Sequence, residues 1–314
     1  MAKGRKAPFH TFARMKGTLG HWIRAARLRT LPLAFASIAM GSLLAGARGH
    51  FDWLILLLSL LTTLFYQVLS NYANDYGDGI RGTDAEREGE ARMVALGVIT
   101  ASAMKQAVWL LAFLAFASGT ALSFLATRHL ASWVAWFFVA LGLAAIAAAI
   151  KYTVGPRAYG YRGWGDLMVL FFFGILGVVG SYFLQAGQFA WWTVLPALSV
   201  GFLSMGVLNL NNMRDRTSDA RHGKITLAVR LGPRGSKVYH GLLILLAFDM
   251  AFLLNRIWPT GWAQNLYFLT IPLFLVHLLR VSRAVKPADF EPLLKQLAIT
   301  TLFFVLLYGT GKLF

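Results

Sequence analysis

Two polar clusters interrupt an otherwise apolar chain, and both are rich in the oxygen donors that hard cations take. The first reads Asn71-Tyr-Ala-Asn74-Asp75-Tyr-Gly-Asp78-Gly-Ile-Arg81-Gly-Thr-Asp84. The second reads Asn209-Leu-Asn211-Asn212-Met-Arg214-Asp215-Arg-Thr-Ser-Asp219. Each contains Asn-x3-Asp, from Asn74 to Asp78 and from Asn211 to Asp215. Residues four apart share a helix face, so each cluster presents its oxygens in one direction. Gln67, Asn71, Asn74 and Asp78 form one such stripe, and Asn211, Asp215 and Asp219 form the other. Mg²⁺ is held by hard oxygens, typically one or two carboxylates together with substrate phosphates and water. Two stripes of this kind suit a diphosphate gripped from both sides, its charge neutralised as a C–O bond breaks. Arg81, Arg214, Lys224 and Arg230 are the neighbouring donors for phosphate oxygens. Asn and Asp at helix ends also act as caps and ion-pair partners, but matched spacing in two places argues against that reading.

The elements that must carry these stripes are membrane helices. The chain has 314 residues, 57% of them hydrophobic, and apolar runs near the length of a bilayer span recur along it. The expected fold is all-α and polytopic, with nine spans at about 31–47, 52–73, 100–126, 131–150, 166–186, 190–210, 238–255, 262–280 and 296–312. The absence of Cys excludes disulfides, thiol nucleophiles and Cys-ligated metals. The seven His residues show no HExxH or HxxxH spacing, which leaves a zinc hydrolase without support. A net charge of +17 in a soluble domain would raise the question of nucleic acid; here it follows the positive-inside rule and no nucleic acid is implied. With the N-terminus placed in the cytoplasm, all 30 Lys and Arg fall on the inner side except Arg48, Arg128, Arg256 and Lys312. That orientation puts both Asn/Asp clusters at the cytoplasmic face of the membrane, expected to be a bacterial inner membrane on the resemblance given below, and the C-terminus outside.

Ahead of the first span, residues 17–29 have the pattern of an amphipathic interfacial helix with Trp22 at the headgroups. Thr30 is positioned to cap the first span, and Pro32 is tolerated in its first turn. Between the fourth and fifth spans the chain reads Lys151-Tyr-Thr-Val-Gly-Pro-Arg157-Ala-Tyr-Gly-Tyr161-Arg-Gly-Trp-Gly-Asp166. This turn-rich segment lies at the same mouth. Lys151 or Arg157 could hold an aromatic acid there, with Tyr152 and Tyr161 stacking on its ring; an interfacial aromatic belt is the alternative. Asp249 is expected to pack against polar groups inside the bundle, and His277 to be a satisfied core residue.

Asn74-x3-Asp78-x5-Asp84 and Asn211-x3-Asp215-x3-Asp219 resemble the two aspartate-rich motifs of the UbiA superfamily of intramembrane prenyltransferases. The pieces Ser70 to Asp84, Ala148 to Gly155, Tyr159 to Asp166, Asn211 to Asp215 and Gly223 to Leu227 are similar to its naphthoate branch, as is Arg27-Leu-Arg-Thr-Leu-Pro-Leu33. The likeness covers roughly residues 22–312 and implies one transmembrane prenyltransferase domain, a nine-helix bundle around a central cavity. It implies Mg²⁺ as cofactor, a polyprenyl diphosphate donor and 1,4-dihydroxy-2-naphthoate as acceptor, with loss of the ring carboxylate as CO₂. It further implies that Asn74, Asp78, Asp84, Asn211, Asp215 and Asp219 hold the metal and diphosphate, with Asp75 as a helper; no obligate protein partner is implied.

Two departures bear on the acceptor. The 4-hydroxybenzoate branch carries its third acid four residues after the second, where this chain has Gly82; the acid here is Asp84, as in the naphthoate branch. The naphthoate branch follows that acid with a Gly-Pro loop, which is missing from Ala85-Glu-Arg-Glu-Gly-Glu-Ala-Arg92. Other acceptors, 4-hydroxybenzoate or homogentisate, are the alternative within the family. From a different class the alternative is a cation-coupled transporter, whose sites lie near the bilayer midplane on broken helices, whereas these acids sit at span ends.

Overall fold

The computed structural model describes residues 17–81, 92–156 and 158–314. It is helical, with no strand among those residues. A short α1 (Leu19–Ala26) leads into α2 (Leu31–Gly46), followed by α3 (Trp53–Arg81), α4 (Ala101–Ala126) and α5 (Ser132–Lys151). Then come α6 (Gly165–Ala186), α7 (Val194–Arg221), α8 (Leu227–Ile257), α9 (Trp262–Arg283, opening as a 3₁₀ helix over Trp262–Thr270) and α10 (Pro287–Gly311). Nine helices among the described residues, counting α1 and α2 as one, are long and apolar enough to cross a membrane. Their outward faces carry Trp109, Phe113, Trp133, Trp136 and Phe252, each more than half exposed. Only lipid satisfies such a surface, so the chain is a multi-pass membrane protein.

The buried side chains fall into two main groups. One joins α2, α6, α7, α8, α9 and α10 through Met40, Leu203, Leu254, Tyr267, Phe274 and Phe304. The other joins α1, α3, α4 and α5 through Ala25, Leu69, Ala73, Met104 and Ala115. A smaller cluster of Ile55, Leu122, Ala126 and Leu184 ties α3, α4 and α6 together. Between the two halves lies the cavity described below.

Several boundaries differ from the sequence expectation, for one physical reason. Hydropathy falls at 73 and 210, but α3 runs on to Arg81 and α7 to Arg221. At 1.5 Å per residue, their 29 and 28 residues are each more than 40 Å long, against about 30 Å of hydrocarbon. The polar stripes ride on the surplus turns, where Asn74 and Asp78 of α3 and Asn211 of α7 line a cavity, while Asp215 and Asp219 are buried beside it. Polar turns likewise begin α8 at Leu227 and α10 at Pro287, ahead of their apolar parts. In α8 the break comes at Gly232 (φ 69°) and Pro233, where left-handed backbone and a missing N–H interrupt the helix.

Two local expectations, those for Thr30 and Asp249, are corrected. The Thr30 side chain makes no cap bond to α2; its hydroxyl donates to the Arg27 carbonyl at 2.9 Å and accepts from Gln67 Nε2 at 2.8 Å. Trp22 packs its ring on Tyr72, centroids 5.5 Å apart, because α1 folds back onto α3. Asp249 is exposed on α8 and does not pack inside the bundle. The inward face of α8 is filled by Leu243, Ile244, Ala247, Ala251 and Leu254, and position 249 falls on the opposite side. His277 is fully buried as expected, its Nε2 3.0 Å from that of His240.

Candidate active site

On α3 the amides of the stripe are held by neutral hydrogen bonds. Gln67 Nε2 donates to Thr30 Oγ1 at 2.8 Å, and Asn71 Nδ2 donates to the Ala26 carbonyl at 2.8 Å. The Thr153 hydroxyl lies 3.0 Å from the Ala73 carbonyl and 3.2 Å from Asn74 Oδ1. That approach requires Gly77, because a Cβ there would stand 2.7 Å from Thr153 Oγ1. Asp78 accepts from the Tyr161 hydroxyl at 2.7 Å, and its other oxygen lies 3.4 Å from the Arg92 guanidinium.

Asp75 is not part of that set. Three residues from Asp78 but one from Asn74, it faces the returning chain and accepts the backbone N–H groups of Met93 and Val94, each at 3.0 Å. It therefore anchors the segment that carries Arg92, instead of helping at the site directly.

On α7 the stripe is held by charge. Arg214 donates to Asp215 through Nε at 2.8 Å and Nη2 at 2.9 Å, and to Asn211 Oδ1 at 2.7 Å. Its remaining nitrogen donates to Glu291 on α10 at 2.6 Å, and Glu291 also accepts from Arg29. Asp219 lies 3.3 Å from Lys224 Nζ. Burial alone would lower the pKa of Lys224, but the Asp219, Asp78 and Asp215 carboxylates outweigh it, so this ammonium holds its proton more tightly than usual. Carboxylates from both stripes thus act on one lysine. Tyr161 completes the bridge: its hydroxyl is on Asp78 and its ring lies 5.8 Å from Lys224 Nζ.

A cavity of about 420 Å³ opens from this junction, within the range of small-molecule sites. Asn71, Asn74, Asp78, Arg92, Asn211 and Lys224 line its polar end, together with Arg27 and Arg29. Along α3 the lining continues from Asp78 to Ser59, about 28 Å of helix at 1.5 Å per residue. Phe116, Phe138, Leu141, Phe172, Phe173 and Leu184 make the rest greasy. Part of that wall is the π-helical stretch Leu170–Val179 of α6, an unusual winding found most often at functional sites.

Of the other sequence-predicted residues, Tyr152 lines the cavity, and burial pushes its phenol pKa up. Arg81 sits at the rim, its guanidinium 4.4 Å from the Tyr161 ring centroid and donating to the Gly155 carbonyl. Arg230 is exposed, 3.5 Å from the Arg162 carbonyl, and Lys151 is exposed; neither lines the cavity. Asp84 and Arg157 lie outside the described residues. The sequence reading missed Arg27, Arg29, Arg92, Thr153 and Glu291. Arg27 takes a left-handed conformation, φ 49°, which turns α1 into α2 and costs of order 1 kcal/mol or more in a non-glycine residue. Strain of that kind in a cavity-lining base was the available structural signal.

The donors on both stripes are hard amide and carboxylate oxygens, the set that suits Mg²⁺ and excludes a soft-metal site. Among the described residues no group of three or more His, Asp or Glu gathers as a metal site on its own. Amides and substrate oxygens would have to complete the coordination.

The UbiA prenyltransferase family matches residues 34–308. The 1,4-dihydroxy-2-naphthoate octaprenyltransferase of Haemophilus influenzae is 42% identical, covering 93% of this chain and 95% of that relative. The protein of the same description from Escherichia coli is 44% identical, covering 91% and 94%. Among solved structures, the apo form of a UbiA homolog from Aeropyrum pernix superposes with a TM-score of 0.65 at 14% identity, covering 91% of this chain and 97% of that one. A UbiA homolog from Archaeoglobus fulgidus bound to DMAPP and Mg²⁺ superposes with a TM-score of 0.59 at 17% identity, covering 92% and 99%. At those identities the structural likeness is one of fold.

Proposed function

Because this chain belongs to the UbiA prenyltransferase family, we propose that it joins a polyprenyl diphosphate to 1,4-dihydroxy-2-naphthoate. In that reaction the allylic C–O bond breaks and diphosphate leaves with the electron pair. A ring carbon of the naphthoate supplies the pair for the new C–C bond. The ring carboxylate leaves as CO₂, its bonding electrons returning to the ring, and the product has the demethylmenaquinone skeleton.

Asn74 and Asp78 on α3 and Asn211, Asp215 and Asp219 on α7 would hold divalent cations, with Asp84 contributing from the segment after α3. Bound Mg²⁺ supplies Lewis-acid neutralisation of the departing diphosphate. Lys224 and Arg92 donate to phosphate oxygens at the polar end, and Arg27 and Arg29 add positive charge there. Arg214 acts as a positioning residue, fixing Asp215 and Asn211 while Glu291 fixes it. Tyr161 sets the orientation of Asp78. The greasy length of the cavity takes the isoprenoid tail, and Tyr152 flanks the space left for the aromatic ring. We further propose that the chain is one prenyltransferase domain, with its N-terminus and this site on the cytoplasmic side.

The observation that carries this reading is that both stripes meet at the head of an apolar cavity, Asp78 through the Tyr161 hydroxyl and Asp219 through Lys224, with the Tyr161 ring 5.8 Å from the Lys224 ammonium. The test is incubation of the purified chain with a prenyl diphosphate, Mg²⁺ and each aromatic acid in turn. Prenylated product is expected from dihydroxynaphthoate. Product from 4-hydroxybenzoate or homogentisate, with none from dihydroxynaphthoate, would replace the acceptor.

A further inference from the structure

At the end of the bundle opposite the two stripes, two cations lie together with no ion-paired carboxylate among the described residues; Asp52 at the same end accepts from the Leu54 and Ile55 N–H groups instead. Arg48, just beyond α2, lies with its Cζ 4.0 Å from the Trp258 ring centroid and 5.4 Å from that of Trp192. The two indoles are themselves 4.9 Å apart. Lys312, directly after α10, has its Nζ 5.2 Å from the Trp258 centroid and 5.8 Å from that of Tyr308. Lys312 is buried and donates to the Trp258 carbonyl at 2.6 Å and to Gln264 Oε1 at 3.2 Å. An ammonium has three protons, so one remains. Neither Arg48 nor Lys312 pairs with a carboxylate among the described residues. At the other end Arg214, Arg92 and Lys224 each do.

Stacking on an indole uses the face of a guanidinium and leaves its N–H donors pointing outward in the plane. Arg48 is exposed, so that fork is open. Burial, and then the Arg48 charge, push the pKa of Lys312 down to about 8. Around the pair, Phe51, Trp262, Leu313 and Phe314 are exposed. An apolar rim about a bare cationic fork selects an anion with an apolar body.

We propose that Arg48 and Lys312, on their Trp192–Trp258 platform, bind the phosphate of an anionic phospholipid headgroup in that leaflet. Arg48 supplies the bidentate contact and Lys312 the second charge. The site is separate from the prenyl-transfer cavity, and neither residue lines that cavity.

Native mass spectrometry of the full chain, released from micelles containing phosphatidylglycerol or phosphatidylcholine, tests this. Wild-type protein is expected to retain phosphatidylglycerol in preference. Arg48→Gln should lower that retention about tenfold, as loss of one charge-assisted contact predicts, with Arg48→Lys falling between. Lys312→Gln, which leaves Arg48 in place, should weaken retention too. Arg128→Gln, a cation elsewhere at the same end, should retain lipid like wild type. Equal retention of the two lipids, or full retention by both Arg48→Lys and Lys312→Gln, overturns the proposal. Displacement of phosphatidylglycerol by inorganic phosphate overturns the lipid assignment.

Discussion

The two Asn-x3-Asp clusters have the same spacing and different surroundings. On α3 the amides are fixed by neutral bonds to Thr30, the Ala26 carbonyl and Thr153, and Asp78 faces the cavity with Tyr161 and Arg92 beside it. On α7 the same pattern is fixed by a buried ionic chain, Asp215 and Asn211 to Arg214 to Glu291 to Arg29. Equal spacing in sequence therefore specifies a shared face and leaves open what holds it. Asp78 also meets a buried cation, Arg92 at 3.4 Å, but less closely than Asp215 meets Arg214 at 2.8 and 2.9 Å, so losing the α7 carboxylate should disturb a buried ion more.

The largest expected effect separates these two cases. Asp78→Ala and Asp215→Ala should each lower prenyl transfer by roughly 10³-fold or more, the scale of removing a charge-stabilising group at the reacting centre. Their stabilities should differ. Asp215→Ala leaves Arg214, whose side chain is 1% exposed, without its bidentate partner, and breaking a buried pair costs about 3–5 kcal/mol. Asp78→Ala removes a longer contact to a buried cation, 3.4 Å from the Arg92 guanidinium, and should lose less stability than Asp215→Ala in the same detergent. Equal thermal stability of the two variants would falsify the contrast between the stripes.

Glu291→Ala comes next. Arg214 would keep Asp215 and Asn211 but lose its outer anchor, and Arg29 would lose the same carboxylate. Expected is a fall in kcat of about tenfold to a hundredfold with KM for the acceptor unchanged, because the chain orients a metal-binding carboxylate and touches no ring. A change confined to acceptor KM would remove Glu291 from the α7 network.

How much of this was legible beforehand depends on distance along the chain. The stripes themselves were, because i+4 spacing is local and a helix converts it into a face. Tyr161 and Tyr152 were placed at the right mouth by loop composition, yet the Tyr161 hydroxyl turned out to meet Asp78. Glu291 was not legible: its partners Arg29 and Arg214 are hundreds or dozens of residues away, and only the meeting of α2, α7 and α10 joins them. Asp75 and Asp78 look alike in composition, but Asp75 stands at the edge of the stripe, about 100° around the helix from Asn74, and meets the Met93–Val94 backbone while Asp78 lines the cavity. Asp249 shows the same limit in reverse, since hydropathy finds a span without phasing a lone polar residue around it.

Tyr161→Phe sharpens the α3 side. It removes the hydroxyl at 2.7 Å from Asp78 and keeps the ring under Arg81. A hydrogen bond to a charged group contributes about 1.5–3 kcal/mol, so kcat/KM should fall about tenfold or somewhat more. An unchanged rate would mean that the Tyr161 hydroxyl does not orient Asp78.

The smallest effect probes the neutral bonds directly. Thr30→Val keeps the shape of the turn between α1 and α2 and deletes the oxygen that accepts from Gln67. Gln67 lines the cavity, so its amide can turn toward water there, and the loss should be about 0.5–1.5 kcal/mol of stability. Asn71 keeps its bond to the Ala26 carbonyl, so the stripe should hold its direction and prenyl transfer should fall by less than about tenfold. Melting curves paired with initial rates check both numbers. A rate loss as large as that of Glu291→Ala would mean that the neutral stripe is as tightly tensioned as the ionic one, and the distinction between α3 and α7 would rest on stability alone.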